Sequence, residues 1–190
     1  ETDDLVAMDG AALRGFTPGQ LGALSSSQLL ALTTTQLPAL STQQIAALST
    51  QQVKLLDSSQ VASLTSAQLR AMGTAQVQAI DPVDTASLVT LTATQLAGLS
   101  SGQIQAMTSE QVTSLTTAQL VALSALQLRG LMSEDIGGLD QSRVEALSLN
   151  QIRAMSSAQI GALSDTQTPW LTSAQIGALQ QNLGIGVVIG

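Results

Sequence analysis

Leu40–Ala47 reads Leu-Ser-Thr-Gln-Gln-Ile-Ala-Ala, and this eight-residue pattern recurs along almost the whole chain. The consensus of the repeat is Leu-Ser/Thr-x-x-Gln-Leu/Ile/Val-x-Ala, and residues 171–178 show it again as Leu-Thr-Ser-Ala-Gln-Ile-Gly-Ala. A short fixed period is typical of arrays in which each repeat contacts only its neighbours. We number the positions of the repeat from 1, the leucine, to 8.

The repeat divides the chain into three regions. Residues 1–7 form a lead-in, residues 8–179 form the octapeptide-repeat solenoid, and residues 180–190 form an apolar, glycine-rich tail. The phase of the repeat slips by three residues at 88–90 and resumes at Leu91. About 21 repeats fit in the array, far more than the three or so that such an array needs for stability.

Positions 2 and 5 carry the signal of a helix start. Position 2 is Ser, Thr or Asp in nearly every repeat, and position 5 is Gln in most repeats. Ser/Thr-x-x-Gln is a capping box, in which each side chain bonds the backbone N–H of the other residue. Positions 1 and 6 are apolar and match the hydrophobic staple that accompanies such a box.

The four prolines indicate where each helix ends. Pro18 and Pro82 occupy position 3, the first helical residue, where proline is favoured. Pro38 and Pro169 occupy position 7, where proline disrupts a helix. In these last two repeats we expect the helix to end near position 6. Each repeat is therefore predicted to be one or two helical turns followed by a bend.

Two other folds fit the repeat less well. In a continuous helix, eight residues leave a drift of about 80° per repeat, which would spread the apolar positions around the cylinder. In a strand, positions 1 and 6 would point to opposite faces. We therefore predict an all-α fold, a tight solenoid of short capped helices with about one helix per repeat. Positions 1, 6 and 8 are expected inside, and position 7, which holds most of the basic residues, is expected to face water.

Composition argues against several classes of function. The chain has 190 residues, a net charge of −7 and only six basic residues, which are scattered, so we expect no nucleic-acid partner. Histidine and cysteine are absent, which removes the usual triads, nucleophiles and thiolate metal ligands. We expect no enzyme activity, no metal and no cofactor. No apolar run approaches the roughly 18 residues of a membrane span.

The repeat resembles the octapeptide tracts of large secreted bacterial surface proteins, known as adhesin-like or "heme utilisation or adhesion" proteins. The resemblance covers residues 8–179 and rests on the motif Leu-Ser/Thr-x-x-Gln-Ile/Val-x-Ala. It implies an extracellular or cell-surface protein that acts as a spacer or forms fibres, and it carries over no functional residues. Heme binding is not expected, since the chain has no histidine.

The first functional hypothesis is a structural protein, either a rigid extracellular stalk or a subunit of a self-assembling filament. The alternative is a binding module that uses a polar face of the solenoid to recognise a glycan, a surface or ice. Its best candidate regions are the phase slip at 88–90 and the surroundings of Trp170, the sole tryptophan.

The expected partner is a second copy of the chain, in a head-to-tail contact. The apolar tail is the first half of this predicted contact, through Leu183, Ile185, Val187, Val188 and Ile189. The other half is the start of the neighbouring subunit, at Leu5, Met8 and Leu13. The alternative is that the tail folds back over Leu171 and Leu179 of its own chain.

Overall fold

The computed structural model describes residues 2–80 and 88–184, and all regular elements in these stretches are helical. The chain forms two compact bodies, Glu1–Leu99 and Ser100–Gly190. The predicted all-α array of short helices, about one per repeat, is confirmed. None of the described helices is long and apolar enough to cross a membrane.

The described helices are short, and most of them have five or six residues. In the first body they are α1 Thr2–Ala7, α2 Gly10–Arg14, α3 Pro18–Gly22, α4 Ser26–Ala31, the 3₁₀ helix Leu37–Ala39, α5 Thr42–Ala46, α6 Thr50–Leu55, α7 Ser58–Ser63, α8 Ser66–Ala71, α9 Thr74–Ala79 and α10 Ala93–Ala97. In the second body they are α11 Ser101–Gln105, α12 Ser109–Ser114, α13 Thr117–Ala122, α14 Ala125–Gly130, α15 Ser133–Gly137, α16 Gln141–Ala146, α17 Leu149–Ala154, α18 Ser157–Gly161, the 3₁₀ helix Thr168–Trp170 and α19 Ser173–Asn182.

The capping box opens most of these helices, as the sequence predicts. In α5 the hydroxyl of Ser41 accepts a hydrogen bond from the backbone N–H of Gln44 at 3.2 Å. In return, Oε1 of Gln44 accepts from the backbone N–H of Ser41 at 2.8 Å. The two bonds satisfy amides that have no partner inside the helix, which is why such short helices can start at a fixed residue.

Most helices end at position 7 or 8, and the backbone N–H at position 1 of the next repeat closes their last turn. The N–H of Leu56 donates to the carbonyl oxygen of Val53 at 3.2 Å, and Leu56 itself has an extended backbone with φ −61° and ψ 128°. The same bond, from position 1 to position 6, closes the neighbouring repeats, as between Leu64 and Val61. The extended residue redirects the chain, so that the next cap begins a new helix in a new direction.

The repeats with proline at position 7 differ from the prediction. Their residues 34–36 and 165–167 (positions 3–5) form a turn, and a 3₁₀ helix then begins at position 6 and includes the proline. Pro38 has no N–H to donate to the carbonyl four residues earlier. The next residues bond three residues back instead, as Ala39 does to Gln36 at 3.0 Å and Leu40 to Leu37 at 3.2 Å. The missing donor therefore tightens the turn and does not stop it at position 6.

Within each body the helices coil so that most of them pack against the helix three repeats farther along the chain. In the first body α5 packs against α8, and in the second body α11 packs against α14 and α14 against α17. Positions 1 and 6 supply the apolar interior, as Leu40, Ile45 and Leu48 do with at most 4% exposure. The expected burial of these two positions is confirmed.

Among the described residues, position 8 is half-buried in most repeats and fully buried only at Ala178, at 2% exposure, so the prediction that it lies inside holds only in part. Ala23 and Ala47 at this position are exposed, and Ala71 is half-buried. Small size still matters there because neighbouring coils approach closely. A Cβ added at Gly98 would lie 2.9 Å from Cβ of Ser66, and one added at Gly130 would lie 3.1 Å from the carbonyl oxygen of Ser101.

The outer positions and the region boundaries follow the sequence in most respects. The basic residues at position 7 are all exposed, as expected: Arg14, Lys54, Arg70, Arg129 and Arg153. The lead-in contains its own helix, α1, and α19 continues past residue 179 to Asn182. After α19 the chain turns at Gly184, whose φ of +67° favours glycine.

Replacing Ser41 by alanine should lower the free energy of unfolding by about 1 kcal/mol, because it removes one helix cap. Replacing the fully buried Ile45 by alanine should cost more, roughly 2–5 kcal/mol, because it leaves a cavity. Thr42, exposed on the same helix, serves as the control, and its change to alanine should stay within about 0.5 kcal/mol. Urea unfolding measures all three, and equal small effects at Ser41 and Ile45 would contradict the assignment of the repeat positions.

Candidate functional site

Position 5 supplies the third interior residue of each repeat, and its side chain does more than close the capping box. Gln68 is only 2% exposed. Its Oε1 accepts from the backbone N–H of Thr65 at 2.8 Å. Its Nε2 donates to the carbonyl oxygens of Leu37 and Leu40, both at 2.8 Å. One amide therefore starts its own helix with its oxygen and bonds the previous coil with its nitrogen.

The same bonds recur at regular spacing through each body. The acceptors are the carbonyls at positions 6 and 1, which lie 31 and 28 residues earlier, as for Gln44 and Gln159. In several repeats the carbonyl at position 7, which lies 30 residues earlier, also accepts. We call these side chains the glutamine ladder. Its members with described acceptors are Gln36, Gln44, Gln52, Gln60, Gln68, Gln76, Gln95, Gln151, Gln159, Gln167 and Gln175.

The ladder supplies hydrogen bonds to carbonyls that short helices leave without a partner. A helix of five or six residues leaves most of its last carbonyls without an intrahelical partner. The carbonyl of Leu40 lies in the extended linker, and its described hydrogen bond comes from Nε2 of Gln68. A buried polar group without a partner costs about 1–3 kcal/mol. The ladder therefore removes a penalty that would otherwise recur in every repeat.

A glutamate could close the capping box but could not form the ladder. Its carboxylate accepts hydrogen bonds and has no N–H to donate. No repeat has Glu at position 5, and the departures from Gln in the array are Ala12, Asp84, Asp135 and Arg143. The capping-box motif accounts for only one of these two roles of Gln. The absence of Glu, which serves equally well in a box, is the signal that could have revealed the second role.

The phase slip at 88–90 leaves the pattern of ladder bonds unchanged. Nε2 of Gln95 donates to the carbonyls of Ala62 at 2.9 Å and Leu64 at 2.6 Å, which lie 33 and 31 residues earlier. These carbonyls occupy positions 7 and 1, the same positions that Gln52 bonds at distances of 30 and 28 residues. The three extra residues therefore lengthen one turn of the coil without shifting the pairing. Nothing at the slip itself indicates a ligand site.

Arg143 replaces glutamine at position 5 and keeps the bonds to the previous coil, but its guanidinium cannot accept the backbone N–H of the cap residue, so the capping box is not closed. Its Nε and Nη2 donate to the carbonyl of Leu115 at 3.0 and 2.7 Å, and Nη2 also donates to the carbonyl of Thr113 at 3.0 Å. These acceptors again occupy positions 1 and 7. Toward its own cap, Nη1 forms a salt bridge with Oδ2 of Asp140 at 2.8 Å. The repeat thus keeps a donor toward the previous coil without an amide.

The cap residue Asp140 is adapted to this arginine. Its Oδ1 accepts from the backbone N–H of Arg143 at 2.9 Å. This bond is the main cause that lowers the pKa of Asp140 below its ordinary value. Desolvation opposes it, and the Ser142 hydroxyl and the Arg143 charge lower the pKa by smaller amounts. The carboxylate therefore stays ionised, and the cap stays in place, to a lower pH than an ordinary aspartate would allow.

Asp135 is the one described place where the ladder is broken inside a body. Its Oδ2 accepts from the backbone N–H of Met132 at 3.2 Å, but its buried Oδ1 has no hydrogen-bond partner among the described residues. The shorter side chain has no N–H, so it cannot donate to the previous coil. Met132 also lacks a side-chain oxygen for the cap. Helix α15 therefore has neither a side-chain cap at its start nor a ladder bond to the previous coil.

Changing Asp135 to glutamine should restore the missing donor and raise the free energy of unfolding by about 1–3 kcal/mol. The matched control is the reverse change, Gln159→Asp, which should destabilise the same body by a similar amount. Urea unfolding of the two variants measures the difference. A destabilised Asp135→Gln protein would mean that position 5 in this repeat does not face the previous coil.

The residues of the predicted head-to-tail contact lie in different environments. Leu5 and Leu13 are buried in their own chain, at 5% and 0% exposure, and Met8 is half-buried. Leu183 is 47% exposed. The remaining tail residues, Ile185, Val187, Val188 and Ile189, lie outside the described part of the chain. The tail contact therefore stays a prediction.

Trp170 ends the second 3₁₀ helix and is half-buried. This places it in one of the two repeats that proline alters, and its contact role stays a prediction. Within residues 2–80 and 88–184, no three acidic, histidine or cysteine side chains come together as a metal site would require. The most regular arrangement of polar side chains among the described residues is the glutamine ladder.

Comparison with known proteins agrees with the repeat. The family model for the ALTTAQ repeat matches residues 1–34, 31–66, 80–117 and 144–181, which together cover more than half of the chain. A search of curated proteins gives no match. The chain belongs to the ALTTAQ repeat family.

Proposed function

We propose that this ALTTAQ repeat protein is a structural element, either a rigid extracellular stalk or a subunit of a self-assembling filament at a bacterial surface. The observation that carries the proposal is the glutamine ladder. The most regular polar side chain of the sequence is buried in most repeats, and there its amide nitrogen bonds the previous coil. In most enzymes and binding modules, the recurring polar groups would instead converge on a pocket.

The ladder supports a stiff array in particular. Each coil is held to the previous one by direct hydrogen bonds in addition to apolar contacts at positions 1 and 6. In repeat proteins, stability is close to a sum of such neighbour interactions, so an array can be extended without a new core. A regular bonded array suits a spacer or a fibre better than a catalyst.

The proposed location rests on the sequence. The octapeptide tracts that the chain resembles belong to secreted surface proteins of bacteria. The chain is acidic, with a net charge of −7. It has no cysteine, so its fold does not depend on thiol redox state. The regular neighbour bonding described above is compatible with an exposed environment.

Negative-stain electron microscopy of the purified chain tests the structural role. We expect filaments or rods of uniform width, whose length grows with protein concentration if the chain assembles. Globular particles of one size at all concentrations would contradict both forms of the proposal.

Antibody labelling of intact cells of the source organism tests the location. We expect labelling without permeabilisation, with an abundant cytoplasmic protein as the negative control. Labelling that appears only after permeabilisation would contradict a surface location and would leave the structural role standing.

A further inference from the structure

The second body contains an apolar groove that no described residue covers. We call it the acceptor groove, and its lining encloses about 260 Å³. The apolar side chains that line it are Ile160, Leu163, Leu171, Ile176, Leu179 and Leu183. Ile176 at position 6 is 38% exposed, whereas position 6 of α5 and α8 is fully buried. The groove is therefore an uncovered piece of the interior surface of the coil.

The acceptor groove also presents carbonyl oxygens that lack their usual donors. In the repeats just before it, position 1 carbonyls accept from the ladder, as those of Leu139 and Leu147 do from Gln167 and Gln175. No hydrogen bond to the position 1 carbonyls of Leu163 and Leu171 occurs among the described residues. Among the described residues, no apolar side chain covers the groove and no N–H donates to these two carbonyls.

The first body presents the complementary groups. Gln20 and Gln28 close their capping boxes through Oε1, which accepts from Thr17 at 2.8 Å and from Ser25 at 2.9 Å. Their Nε2 atoms have no described partner, unlike that of Gln36, which donates to the carbonyl of Met8 at 2.8 Å. The next two position 5 side chains along the array, Gln44 and Gln52, also have acceptors.

Apolar side chains accompany these two free donors. Phe16 and Leu24, at position 1 of the same repeats, are half-buried, whereas Leu32 in the next repeat is 2% exposed. We call Phe16, Gln20, Leu24 and Gln28 the donor face. It combines N–H donors with apolar groups, as the acceptor groove combines carbonyls with apolar groups.

We propose that the acceptor groove binds the donor face of a second copy of this chain, through the same bonds that join successive coils within it. Gln20 and Gln28 are eight residues apart, and so are Leu163 and Leu171, whose carbonyls would accept from them. The contact continues an interface that the chain already builds many times. It joins two different surfaces, so it propagates into an open filament unless the rotation closes a ring. This inference rests on the proposed filament and names the contact that forms it.

The double variant Gln20→Glu/Gln28→Glu tests the donor face. Glutamate keeps the oxygen that closes each capping box but removes the Nε2 donors and places negative charge against the carbonyls. Sedimentation velocity of the full chain should show the dissociation constant for self-association rising by about tenfold or more, with an unchanged circular dichroism spectrum. Gln43→Glu/Gln51→Glu adds the same charge at exposed position 4 residues, and it should associate like the unaltered chain.

A mixing experiment tests that the contact is head-to-tail. Ile176→Lys places a charge in the acceptor groove and should block self-association while its donor face stays intact. The double Glu variant has an intact groove, so an equimolar mixture of the two should form 1:1 dimers and nothing longer. A mixture that stays monomeric would overturn the pairing of these two surfaces.

The remaining outcomes separate this inference from the proposed function. If the unaltered chain assembles and the double Glu variant assembles equally well, the donor face is not the contact, but the filament proposal stands. If deletion of residues 185–190 abolishes assembly, the tail carries the contact and this inference is wrong. If the unaltered chain stays monomeric at every concentration up to its solubility limit, both this inference and the filament form of the proposed function fail.

Discussion

The side-chain amide at position 5 is the interaction on which the rest of the structure depends. Isolated helices of five or six residues are not stable in water, because nucleation costs more than so few bonds return. The amide offsets this nucleation cost with hydrogen bonds on two sides. Its oxygen fixes the start of its own helix, and its nitrogen satisfies carbonyls that an earlier short helix leaves unbonded, as Gln68 does for Leu37 and Leu40. Local helix formation and coil-to-coil packing are therefore coupled through one group.

This coupling explains which departures from the repeat the fold tolerates. Three inserted residues are absorbed because Gln95 still reaches carbonyls at positions 7 and 1. Arginine is accepted at residue 143 because its guanidinium keeps a donor toward the earlier coil. Aspartate at residue 135 keeps the cap bond and loses the donor, which leaves a buried oxygen without a partner. Most repeats keep a donor at position 5, and the amide is its usual form.

Much of the local structure could be predicted from the sequence because it depends on residues close together in the chain. The capping box, the staple and the burial of positions 1 and 6 follow from contacts within one repeat, as in α5. The described partners of the glutamine nitrogens lie 28 to 33 residues away. That distance depends on the bend between helices, which the motif alone does not specify. For the same reason, the motif alone placed position 8 inside with positions 1 and 6 and did not reveal the burial of position 5.

The structure of the proline repeats and the candidate contact also could not be predicted from the repeat motif alone. A proline at position 7 predicts that a hydrogen bond is lost, but the resulting 3₁₀ helix depends on the bonds that the following residues form, as Ala39 does with Gln36. For the head-to-tail contact, the sequence pointed to the apolar residues at either end of the array. The donor face is defined instead by Nε2 of Gln20 and Gln28, which have no described acceptor, in contrast to the later glutamines.

The most direct test of the account is to compare Gln68→Glu with Gln20→Glu by urea unfolding of the monomeric protein at neutral pH. Both changes keep the oxygen that closes the capping box, and only the first removes a donor that bonds an earlier coil. The account predicts that Gln68→Glu loses about 3 kcal/mol or more, because it buries an unpaired charge against two carbonyls. Gln20→Glu should change the free energy of unfolding by less than about 0.5 kcal/mol. Equal small losses in the two variants would show that the glutamine nitrogen does not hold the coils together.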